Sequence, residues 1–112
     1  MKLKTTNKVI KANYAKVYRV GYCAMYYLLK FEEPRAYTSG VYGWNADLYE
    51  VDGVAIVTGY RPGVGESVNY EIVDKYEKKA QKIFHDYAIP YETRKKKITK
   101  LLHKCIEELT KE

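Results

Sequence analysis

A chain of 112 residues, 46% apolar and 30% charged, holds one modest core rather than two, so a single domain spanning residues 1–112 is expected. That composition argues against disorder as the main state, and no apolar run approaches the about 18 residues of a membrane span. The start, "MKLKTTNKVIK", has no apolar signal core and no small-residue cleavage site, and two cysteines are too few for a disulfide framework. A cytoplasmic protein with reduced thiols follows as the expectation. Net charge is +6, unevenly spread: residues 36–74 carry one Arg and six acids, and both flanks are basic. A basic flank suits phosphate, and it suits equally a solvated helix surface.

Residues 6 to 31 read as helical. Ile10, Tyr14, Val17, Val20, Ala24, Tyr27, Leu28 and Phe31 recur at steps of three and four. Gly21 in the middle predicts two shorter helices or a kink, and Pro34 ends the second, "YCAMYYLLKF". The period then changes. "WNADLYEV" and "VAIVTGYR" are rich in β-branched and aromatic residues, and Asp52-Gly53 between them is a two-residue hairpin turn. That turn fixes a register in which Val51 faces Val54, Tyr49 faces Ile56, Asp47 faces Thr58, Asn45 faces Tyr60 and Trp44 faces Arg61. "YTSGVY" supplies a third strand, with Ser39-Gly40 as a turn or bulge.

Two helices follow. Ile72, Val73, Tyr76, Ala80, Ile83, Phe84 and Tyr87 form one apolar stripe, capped by Asn69 or Ser67. Ile98, Leu101, Leu102, Cys105, Ile106 and Leu109 form another. The short break at "AIP" predicts an antiparallel helical hairpin. The expected class is α+β: an antiparallel sheet of two or three strands packed with N-terminal helices and a C-terminal helical hairpin.

Spacing offers little catalytic chemistry. His103 and Cys105, two residues apart on a helix, point in different directions, so no metal is expected. Cys23 sits in an apolar stretch without a base beside it and reads as a buried thiol. "GYRPGVGES" lacks the lysine of a P-loop, and Glu66 opposes anion binding at the helix start that follows. No enzyme and no cofactor are expected.

Two surfaces remain. Lys96, Lys100 and Lys104, four apart in "TRKKKITKLLHK", share one helix face and form a stripe that suits a nucleic-acid backbone. No aromatic residue interleaves with them in sequence, which argues against base stacking there. Lys4, Lys8 and Lys11 carry the same ambiguity. The hairpin presents two faces. Trp44 and Leu48 with Val57 read as the core face, with Arg61 stacking on Trp44. Asn45, Asp47, Thr58 and Tyr60 cluster on the other. That quartet suits a polar ligand or a partner's backbone, and suits as well an internal hydrogen-bond network. A small-ligand pocket under Trp44, Asn45 and Tyr60 is a further option.

The segments "YTSGVYGWNADLY" and "GVAIVTGYRPGVG", with "GYC" upstream, resemble small uncharacterised proteins of Gram-positive bacteria, phages and mobile elements. The resemblance spans most of the chain and brings no catalytic residues. It implies an accessory role in phage–host conflict, in the manner of anti-CRISPR and other anti-defence inhibitors, with a host protein or protein complex as partner. The leading expectation is a non-catalytic interaction protein working through Trp44, Asn45, Asp47, Thr58, Tyr60 and Arg61. The alternative is a nucleic-acid-binding accessory protein.

Overall fold

A computed structural model describes residues 14–39, 44–59 and 65–111, with the backbone alone for 36–39 and 44–45. The chain is α+β. Its elements run β1 (Lys16–Val20), β2 (Arg35–Ser39), β3 (Trp44–Val51), β4 (Val54–Thr58), a two-residue β5 (Glu66–Ser67), α1 (Tyr70–Phe84) and α2 (Tyr91–Thr110). They fall into two compact units, one holding the strands and the other holding Cys23–Glu32 with both helices.

The expected hairpin is present in the expected register: Val51 pairs with Val54, Tyr49 with Ile56 and Asp47 with Thr58. Asp52 and Gly53 both have positive φ, 50° and 81°, as a two-residue turn of this kind requires. The third strand pairs antiparallel with β3 as Arg35–Ser39, two residues earlier than the sequence suggested. Ser39 belongs to that strand, and Gly40 lies outside the described residues.

The N-terminal helix is not there in the described residues. Lys16–Val20 is instead a strand lying between β4 and β5 and parallel to both. The sheet order is β2-β3-β4-β1-β5, so it is a mixed sheet of four strands plus a short edge, not an antiparallel one of two or three. The physical reason is burial on both faces. Val17, Ala46, Leu48, Ala55 and Val57 form a core cluster, with Tyr14 packed against it. Tyr18, Val20, Val54 and Ile56 alternate with them on the opposite side and are also buried. A strand buried on both sides loses the polar–apolar alternation that marks a strand in sequence. Each fully buried Val or Ile contributes about 1.5–3 kcal/mol over its exposed state.

β5 reaches β1 through Gly65. Its φ is +77°, and a Cβ there would stand 2.7 Å from the Val17 carbonyl oxygen. Only glycine allows the chain to pass so close.

In the helical unit, residues 22–31 form hydrogen-bonded turns rather than the expected second helix. Met25 is left-handed (φ 61°) and fully buried, which interrupts any continuous helix at that point. Leu29 N–H still donates to the Met25 carbonyl at 2.9 Å. The turn is held from outside by the Glu77 carboxylate of α1, which accepts from Tyr27 N–H (2.8 Å) and Leu28 N–H (3.2 Å).

The helical hairpin forms as the two stripes required. Asn69 caps α1, its side chain accepting from Glu71 N–H at 3.0 Å. Val73 and Ala80 of α1 and Ile98, Leu102, Cys105 and Ile106 of α2 are buried. Polar contacts close both ends. Glu108 accepts from Tyr76 (2.8 Å) and from Lys75 (3.1 Å). At the other end Arg94 donates through Nη1 to the Phe84 carbonyl (2.6 Å) and through Nε to the Ile89 carbonyl (3.0 Å). The Phe84 carbonyl, the last of α1, would otherwise have no intrahelical donor, and the Ile89 carbonyl lies in the connection between the helices.

Candidate functional site

Three places carry the polar and aromatic chemistry. The first is the open end of the hairpin. Trp44 and Asn45 lie at the start of β3, their backbones opposite Ser39 and Thr38 of β2. Tyr60 and Arg61, and with them the expected pairs to Asn45 and Trp44, lie outside the described residues. Asp47 and Thr58 come together as the register demanded, with Asp47 N–H 3.4 Å from the Thr58 hydroxyl oxygen. Thr58 is buried at 7% exposure, while Asp47 is half-buried. Burial, and secondly the charge of Asp47, raise the neighbouring Tyr49 hydroxyl above its ordinary pKa.

The second place is α2. Lys96, Lys100 and Lys104 are all exposed and line one open groove of about 750 Å³ together with Lys95 and His103. Glu92 is the carboxylate on that lining. Among the described residues, no salt bridge engages the three stripe lysines. Arg94, which the sequence grouped with them, turns away to the end of α1 and belongs to the fold.

The third place was not foreseen. Around Phe84, at the end of α1, the turn 22–31 and the start of α2 bring rings and cations into one cluster. Phe84 lies 5.6 Å from Tyr27, 6.2 Å from Phe31 and 5.3 Å from His85. Tyr27 OH meets His85 Nε2 at 3.1 Å, and Phe31 meets Tyr91 edge-on at 5.6 Å. Lys30 Nζ stands 4.6 Å above the Tyr26 ring. The Arg94 guanidinium lies 5.1 Å from the Tyr87 ring and 5.6 Å from that of Tyr91. The outer rings face water: Tyr26 is 51% exposed, Tyr87 74% and Tyr91 54%. The signal in the sequence was the count of thirteen tyrosines, which says nothing about where they meet.

The cysteines separate. Cys105 is fully buried, and burial pushes its thiol up to about 12. Cys23, expected to be buried, is exposed, because the helix meant to bury it is a turn. Burial likewise raises the Glu77 carboxyl above its ordinary value, against the lowering by its backbone N–H donors. Among the described residues, no three His, Cys, Asp or Glu side chains converge as a metal site, and no helix is long and apolar enough to cross a membrane.

No family model, curated protein or solved structure matches this chain.

Proposed function

We propose that the protein is a non-catalytic binding protein whose α2 face holds the phosphate backbone of a nucleic acid. The observation that carries this reading is the stripe of Lys96, Lys100 and Lys104, exposed along one groove with Lys95 and His103. Cations spaced one helical turn apart, and in no salt bridge among the described residues, present a line of positive charge to a polyanion. Gel shifts at two salt concentrations, on the native chain and on a Lys96→Glu, Lys100→Glu, Lys104→Glu variant, test it. Affinity is expected to fall steeply with salt and to collapse in the variant. Affinity indifferent to both overturns the reading.

A second reading places a host protein partner at the open end of the hairpin, on Trp44, Asn45, Asp47, Thr58, Tyr60 and Arg61. Its support is the half-buried Asp47 carboxylate, which receives no hydrogen bond among the described residues, beside the Thr58 hydroxyl. An inhibitor role in a phage or mobile element, acting against a host defence system, rests on the resemblance of the hairpin segments. Pull-down with wild type and with Asp47→Ala separates the two: loss of a retained protein on Asp47→Ala supports the hairpin, and retention unchanged removes it.

A further inference from the structure

We infer that the ring cluster at the end of the helical hairpin is a stacking platform for the bases of a single-stranded nucleic acid. The inference rests on the phosphate-binding reading of α2 and names the form of nucleic acid that the same unit takes.

Tyr87 and Tyr91 flank the Arg94 guanidinium, and both rings are more than half exposed. Phe84, Phe31 and Tyr27 fill the inner layer, and Tyr91 meets it only edge-on at Phe31. Arg94 is fixed by two carbonyls, so the rings beside it rest against a rigid cation. Lys30 adds a second cation over the third outer ring, Tyr26. Exposed tyrosines interleaved with cations suit bases and phosphates in alternation, because every base offers a π-face and every linkage a charge. A duplex hides its base faces and gains only the charge.

The cluster also adjoins the stripe. Lys95 follows Tyr91 by one turn on α2 and lines the groove with Lys96, Lys100 and Lys104. A strand whose bases stack on Tyr87 and Tyr91 thus continues onto lysines, with Glu92 the carboxylate along that lining. Asp86, beside Tyr87 in the chain, is engaged by the backbone: its Oδ1 accepts from Ala88 N–H at 3.2 Å.

Fluorescence anisotropy with three labelled probes tests the inference: a single-stranded oligonucleotide, the same sequence as a duplex, and a strand of equal length with abasic sites. Native protein is expected to bind the base-bearing strand about tenfold or more tighter than the abasic one. Tyr87→Ala and Tyr91→Ala are each expected to weaken that strand by about fivefold or more and to leave the duplex and abasic probes unchanged. Tyr87→Phe, which keeps the ring, is expected to retain affinity. Equal binding of base-bearing and abasic strands, or indifference to both tyrosine changes, overturns the platform while leaving the phosphate reading intact. If the triple lysine-to-glutamate variant and salt also change nothing, the phosphate reading falls as well. Absence of binding to any probe overturns both and leaves the tyrosines to a protein contact.

Discussion

The carboxylate of Glu77 holds the backbone of Tyr27, fifty residues earlier in the chain, at 2.8 Å. Through the same side chain it also takes the Leu28 N–H, so one residue of α1 satisfies two donors of a turn that has no helix of its own. Replacing Glu77 with Ala leaves both N–H groups without this acceptor. The expected loss is about 1–3 kcal/mol, read as a lower denaturation midpoint in urea, and an unchanged midpoint would show that the tether is dispensable.

The same carboxyl sets a pH response. Burial raises its folded pKa above the ordinary 4.5, so its protonated form is favoured in the folded state. Its contribution to stability is therefore greatest below 4.5 and is lost as pH rises through the raised value. Thermal denaturation at pH 7 and near pH 5 should show wild type gaining on Glu77→Gln as pH falls. Glu108 works in the opposite sense. Hydrogen bonds from Tyr76 and then Lys75 lower its pKa, so its share disappears as pH drops through that lower value. Repeating the comparison in Glu108→Gln should remove the second effect and keep the first.

Gly65→Ala tests the close passage of β5 against β1. The added methyl meets Val17 backbone oxygen at 2.7 Å in a left-handed conformation, and a loss of about 2 kcal/mol or more is expected. Gly53→Ala is the control. Its φ is also positive, +81°, but nothing lies within 4 Å of the added carbon, so only the conformational cost of about 1 kcal/mol applies. Equal losses at the two positions would contradict the contact.

Thiol labelling separates the cysteines. An aromatic disulfide reagent at pH 8 should titrate Cys23 promptly and leave Cys105 untouched until denaturant is added. With its thiol pushed up to about 12, Cys105 holds only about one part in ten thousand as thiolate at that pH. Two fast thiols in native protein would mean that the α1–α2 core opens readily.

The legible parts of this chain were those whose pattern is local. Asp52-Gly53 announced its own turn and thereby the Asp47–Thr58 pairing. The stripes of α1 and α2 needed only spacing, and so did the lysine row. β1 was misread because Tyr14, Val17 and Val20 happen to fall three apart, and because Val17 and Tyr18, on opposite faces, are both buried. A neighbouring apolar stretch, "YCAMYYLL", prolonged the false period. Its failure to form a helix hangs on Met25, whose left-handed backbone no residue preference announces. The ring cluster was illegible for a different reason. Tyr26 and Lys30 are separated in sequence from Tyr87, Tyr91 and Arg94 by most of the sheet, and the Glu77 carboxylate and the rings of Phe84 and Tyr91 bring the two segments together.

The placement of β1 also governs the order in which the sheet can be completed. β3 and β4 are joined by two residues and can zip as soon as both exist, whereas Lys16 must find Val54 across the whole of the intervening chain, and Tyr18 must then wait for Glu66. A ribosome has to release residues beyond Ser67 before this early segment acquires its second neighbour. Until β1 docks, the flank of β4 is an open template for strand pairing between nascent molecules, and from then until Glu66 arrives the open edge is that of β1 itself.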